Sequence, residues 1–182
     1  MKLLMLVGSL ALLSAGGPAT PTQSDLPLAP ITAPKVVTRA GTLTDAQAAQ
    51  LLRTARLFYS FWNTGDVRYA RAAVSPDFKD NTLPPGRPQG LPGLQAASKG
   101  FLTAVPDLKC TLEDVMLASD KVVARLLFTG HNTGPFGVHP ASGKAIRFIA
   151  IDILHIRNGK IYEDWHLEDN LTFQQQIGVV KP

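Results

Sequence analysis

The chain has 182 residues and a single cysteine, Cys110. One cysteine excludes an intramolecular disulfide framework and a thiolate-rich zinc site. Charged residues are scarce at 18%, and Lys and Arg are scattered without runs. The formal charge of +4 therefore lacks the basic stripe of a nucleic-acid binder, and no nucleic-acid partner is expected. The four histidines, His131, His139, His155 and His166, show no i, i+4 spacing, so no metal is indicated. Phosphate-loop, G-x-S-x-G and dinucleotide patterns are missing too, and no cofactor is expected. No apolar run reaches the roughly 20 residues that a membrane span needs.

What is present is a hydrophobic fraction of 45%, enough for one globular domain with a real core. Residues 1–19 read as a signal peptide: Lys2 precedes "LLMLVGSLALL", and "SAGGPAT" offers small residues for cleavage. The expectation is an exported protein, periplasmic or extracellular, with no membrane span after leader removal. Residues 20–42, rich in Pro, Thr and Ala, predict an extended and mostly solvated linker, in which "VVT" could add an edge strand. The domain is expected over 43–180.

Thr44 and Gln47 form a capping-box pattern, and Leu51, Ala55, Phe58 and Trp62 recur at helical spacing up to Gly65. Asp66 can cap a second helix, "VRYARAAV", followed by a short strand in "DFKDNT". "LPPGRPQGLPG" reads as a loop and "LQAASKGFLTAV" as a third helix. Four strands then follow: "CTLEDVML", "KVVARLLFTGHN", "AIRFIAIDILHI" and "KIYEDWHLED". Asn158-Gly159 between the last two is a strong hairpin signal. The order predicts an α+β fold, with a curved antiparallel sheet wrapped around about three helices and a pocket between them.

Several strings resemble the SnoaL-like polyketide or ester cyclase family, within the nuclear-transport-factor-like cone folds. They are "FYSFWNTGD", "PDFKDN", "FTGHNTGPFG", "HPASGK" and "IDILHIRNGKIYEDWHLEDN" with "QQQIG", spanning about residues 44 to 178. The resemblance implies a cone with an internal pocket and a homodimer or higher homo-oligomer through the sheet. It also implies acid/base chemistry at the position after the last strand's tryptophan, usually an aspartate and here His166. Asn132 stands where the family's central loop usually has histidine, with His131 one residue early, and Asn81 replaces another common histidine. Asp169 matches a common family aspartate that orients a neighbour or caps the tail.

Alternation in "FIAIDILHI" puts Asp152 on one face with Phe148, Ala150, Leu154 and Ile156. A carboxylate there is either a pocket base or a structural group with a partner. Counting back from the hairpin tip pairs Asp152 with Trp165, making Trp165 a pocket wall or core filler. The same count puts His166 on the opposite face, against the resemblance. A bulge would reconcile the two. Glu163, Asp164, Glu168 and Asp169 read mostly as a solvated strand end. His131, Asn132 and Asn81 are candidate pocket-lining residues; Tyr59 and Trp62, one turn apart, are core or ligand contacts.

The expected function is an acid/base enzyme of cyclase, isomerase or hydratase type. Asp152 and His166 would be its catalytic groups, and its substrate a small apolar carbonyl compound. The alternative is a non-catalytic small-molecule-binding module of the same fold, which export and the replaced aspartate favour.

Overall fold

The chain enters its longest helix through a two-way cap. In the computed structural model, which describes residues 23–181 except 29 and 32, the Thr44 hydroxyl accepts from the Gln47 amide at 3.3 Å. The Gln47 side chain accepts in return from the Thr44 amide at 2.9 Å. Helix α1 (Asp45–Thr64) ends at Gly65, whose φ of 68° is the left-handed conformation that glycine adopts without a Cβ penalty. Asp66 caps the short α2 (Val67–Ala73) through the Arg68 amide. The expected leader lies outside the described residues.

Helix α3 (Leu91–Ala104) begins three residues earlier than its apolar spacing suggests, because Pro92 sits in the first turn, where its missing N–H costs nothing. Helix α4 (Asn170–Ile177) follows the last strand and is capped by Asp169, whose carboxylate accepts from the Thr172 amide at 3.0 Å.

The strands are β1 (Val36–Arg39), β2 (Val74–Asp80), β3 (Lys109–Ala118), β4 (Lys121–His131), β5 (Ala145–Arg157) and β6 (Lys160–Glu168). They form one sheet in the order β1-β3-β4-β5-β6-β2. The central pairs are antiparallel as expected, but both edge strands join in parallel, β1 on β3 and β2 on β6. Both are reached by long connections rather than tight hairpins, which is what a parallel neighbour requires. Asn158 and Gly159 take φ of 52° and 72° at the β5–β6 turn, the paired positive values of the favoured hairpin turn.

Along β5 every second residue from Ile146 to Ile156 is buried, Asp152 among them. This inner face meets α1, which supplies Leu57, Phe58, Tyr59 and Phe61 to the core. The outer face is uncovered and carries Ile149, Ile151, Ile153 and Leu167, the last 75% exposed.

The stretch read as a solvated linker is only partly so. Val36–Arg39 is an exposed edge strand, but Leu26 and Ile31 are buried in the common core. The backbone from Gln23 to Ile31 is tied to α1 by hydrogen bonds. Arg53 donates to the carbonyls of Gln23 and Leu26, Arg56 to that of Ile31, and Asn63 to that of Pro30. Proline-rich composition suggested extension; two apolar residues and three α1 side chains decide that this stretch docks. Ile31→Ala should therefore destabilise the fold by about 2–5 kcal/mol, the usual cost of emptying a buried isoleucine site, measured by urea unfolding. A loss below about 0.5 kcal/mol, the surface range, would mean that the strap is not part of the cooperative unit.

Candidate functional site

The decisive local event is a one-residue slip between β5 and β6. Ile156 pairs with Ile161, but His155 pairs with Glu163, so Tyr162 is an extra residue on β6. Beyond this bulge the inward parity of β6 switches from odd to even numbers. Asp164, His166 and Glu168 consequently face inward, and Asp152 lies opposite His166 rather than Trp165. Simple counting from the turn misplaces both residues. Trp165 pairs with Ile153 on the outer face, 36% exposed, with its ring 4.8 Å from that of His155. It forms no pocket wall. The family-based position of His166 and the period-two position of Asp152 are therefore compatible.

Asp152 is 1% exposed. One carboxylate oxygen accepts from the Tyr59 hydroxyl at 2.8 Å, and the other accepts from His166 Nδ1. His166 Nε2 lies 3.3 Å from Glu168 Oε2, so the ring sits between two carboxylates. Burial opposes charging the imidazole, but Asp152 and then Glu168 outweigh it and hold its pKa well above the ordinary histidine value. Both carboxylates thus favour the imidazolium form of His166. Tyr59 is fully buried, and burial, followed by the Asp152 charge, pushes its phenol far up, so it stays a hydrogen-bond donor.

Beside His166 lies a narrow cavity of about 40 Å³. Phe58 and Trp62 of α1 and Leu94, Ala97 and Phe101 of α3 line one side. Phe128 and Phe148, stacked at 5.2 Å, line the sheet side. The polar part consists of Asp80, Arg87, Asp164, His166 and Glu168. Trp62 thus lines the space, whereas Tyr59 reaches it only through Asp152.

The other expected lining residues lie elsewhere. Asn132 is a buried clip: its amide nitrogen donates to the Ala104 and Gly134 carbonyls, and its oxygen accepts from the amide and hydroxyl of Ser142. Gly134 is required there, since a Cβ would lie 1.9 Å from the Thr103 carbonyl oxygen. His131 is exposed and bonds Asp107 through Nδ1 at 2.8 Å. Asn81 anchors β6 by donating its backbone amide to the Asp164 carbonyl at 2.9 Å; it does not line the cavity. Asp169 is the α4 cap already described.

Four polar lining residues, Asp80, Arg87, Asp164 and Glu168, escape the sequence reading. The signal for two of them is present: Asp164, His166 and Glu168 are spaced by two, so whatever turns His166 inward turns all three. Among the described residues, no group of three His, Cys, Asp or Glu could hold a metal ion. No described helix is long and apolar enough to cross a membrane.

The profile of SnoaL-like polyketide cyclases matches residues 52–177. The chain belongs to the SnoaL-like polyketide cyclase family. A candidate polyketide cyclase from Bacillus cereus is 45% identical, with a TM-score of 0.74, over 81% of this chain and 93% of its own. TsrD from Streptomyces laurentii is 30% identical, with a TM-score of 0.67, over 76% of this chain and 99% of its own. IdmH, a candidate polyketide cyclase from Streptomyces antibioticus, is 26% identical, with a TM-score of 0.62, over 69% and 96%. No curated protein matches. Family membership accounts for the cone of helices over a curved sheet.

The raised imidazole value has a thermodynamic consequence. A group whose pKa is raised by folding stabilises the protein fully below its unfolded value, about 6.5 for histidine, and loses that contribution as pH rises through the folded value. The Tm should therefore fall as pH rises from about 6.5 into the alkaline range. His166→Gln, which keeps a donor for Asp152, should flatten that fall. An equally steep decline in the variant would show that another group controls it.

Proposed function

We propose that this protein is an acid/base catalyst acting on a small apolar carbonyl compound by proton transfer, in the manner of a cyclase, isomerase or hydratase. One observation carries the reading: an imidazole whose charged form two carboxylates, Asp152 and Glu168, favour sits at the polar end of a cavity whose other walls are aromatic and aliphatic. Such a cation can donate a hydrogen bond or a proton to a carbonyl oxygen and stabilise the negative charge that develops there. The Nδ1 side is committed to Asp152. The Nε2 side, held only at 3.3 Å by Glu168, is the donor a ligand can capture. Asp152 is then a positioning residue, since it lies behind the ring.

The test uses 2-tetralone, a small apolar ketone, in deuterated buffer, with exchange at the carbons beside the carbonyl followed by NMR. The wild type should accelerate exchange above buffer. His166→Phe should lower that acceleration by about 100-fold or more, in the range typical of a lost acid/base group. Exchange no faster than buffer would sink the reading. The binding-module alternative is favoured by the narrowness of the space and by the engagement of both His166 nitrogens. Saturable quenching of Trp62 fluorescence by 2-tetralone in a Trp165→Phe background, without exchange, would support it.

Export through residues 1–19 also belongs to the proposal and rests on the sequence alone. Self-association through the outer sheet face belongs to it as well, and Ile149, Ile151, Ile153 and Leu167 provide exposed apolar surface for it. Sedimentation should find a dimer or larger assembly, and Leu167→Glu together with Ile151→Glu should shift it towards monomer. A monomeric wild type at micromolar concentration would remove this part.

A further inference from the structure

Asp164 has no role in the acid/base reading so far, yet it is the most exceptional group in the cavity wall. It is 4% exposed, its Oδ1 has no hydrogen-bond partner, and it lines the same space as His166. Apart from the nearby His166, its neighbours offer it little compensation. Asp80 of β2 is its direct partner across the parallel β2–β6 pair and lines the cavity beside it. Asp80 itself is committed to local bonds, with the Thr82 amide and hydroxyl donating to its Oδ1. Arg87 also lines the cavity but makes no ion pair with Asp164. The ordinary fate of such a carboxyl is to find a donor; the buried Oδ1 of this one has none, although the residue lines the cavity.

We propose that Asp164 is the second catalytic residue of the site, the general base that takes the proton from a carbon beside the ligand's carbonyl while His166 supplies one to the carbonyl oxygen. The inference rests on the acid/base reading above and assigns its missing half. The step balances within the two side chains and the ligand. The C–H bond breaks to Asp164, its electron pair forms the carbon–carbon double bond, and the former carbonyl π pair takes the proton from His166 Nε2. An enol, a neutral imidazole and a protonated carboxyl result. Return of the Asp164 proton to a different carbon of a conjugated enol, as the enol O–H gives its proton back to His166, completes an isomerisation. Attack of the enol carbon on a second carbonyl, whose oxygen takes the Asp164 proton while the enol O–H returns its own to His166, completes a cyclisation.

Physical setting suits the task. Burial, then the charge of Asp152, pushes the Asp164 carboxyl well above the usual carboxylate range, with His166 pulling the other way and Asp80 adding to the rise. A carboxylate with a raised pKa is a stronger base than an exposed one. The groups that face it are Asp152 from β5, His166 and Glu168 from β6, Asp80 from β2, Arg87 from the loop before α3, and the un-ionised Tyr59 behind Asp152.

Two measurements test it on the full chain. In infrared pH titration, wild type minus Asp164→Asn should show a protonated-carboxyl band that persists above the ordinary carboxylate range, near pH 4. In 2-tetralone exchange, Asp164→Asn should lose about 100-fold or more with Trp62 quenching retained, and Asp164→Glu should recover part of the loss with a shifted pH profile. No band, or full exchange by a folded Asp164→Asn while His166→Phe is inactive, overturns the inference and leaves the His166 reading standing. Exchange absent even from the wild type overturns both. Because asparagine is nearly isosteric, Tm values separate loss of fold from loss of base.

Discussion

A carboxylate sealed beneath a layer of helices must be compensated, and the site is arranged around that requirement at Asp152. Transfer of an ionised group from water costs several kcal/mol unless partners replace its hydration. Tyr59 and His166 are those partners, and they come from opposite sides: one from the middle of α1, the other from β6. Tyr59 can reach down only because Phe58 and Phe61 seat α1 firmly on the sheet, and His166 can reach across only because β6 has shifted its register. The carboxylate therefore joins helix layer and sheet, while presenting to the cavity not itself but the cation it holds.

The cavity contains carboxyl groups in different circumstances. Asp152 has two donors and Asp80 is held by Thr82, whereas Asp164 shares the apolar wall with no partner on one oxygen. Groups of the same chemistry with unequal compensation are how one site can both hold and accept protons at one pH. The aromatic lining matters to this division. Phe101, Phe128 and Phe148 contribute no donors, so solvation differences among the acids are set by the few polar atoms on β6 and β2.

Much of this was legible in the chain because local rules act within a few residues. The Thr44–Gln47 cap, the Gly65 stop and the Asn158-Gly159 turn each follow from one or two side chains, and the alternation of β5 fixes the inward face of Asp152. The resemblance put His166 on the inner face, and there it lines the cavity. What escaped were relations set by distant packing. Nothing in "KIYEDWHLED" announces that Tyr162 bulges, so period two carried Trp165 inward and left Asp164 on a solvated strand end. Asn132 looked like a ligand contact, yet its four hydrogen bonds stitch its own loop to the end of α3. Leu26 and Ile31 are too sparse for any periodic signal, and only the groove beside α1 gives them a place.

The extra residue at Tyr162 also makes the two ends of the molecule unequal in how they can change length. In the loop between β2 and α3, an insertion would lengthen a turn and leave the faces of its neighbours as they are. Between the Asn158-Gly159 tip and Asp164, one residue gained or lost exchanges the alternating sets wholesale. Asp164, His166 and Glu168 would go to solvent, and Glu163, Trp165 and Leu167 would turn under the helices. A change of length in this hairpin thereby dismantles the site, whereas a substitution leaves its register intact. Chain-length variation among descendants of this sequence belongs in the loops before β5, where the parity of β6 is not at stake.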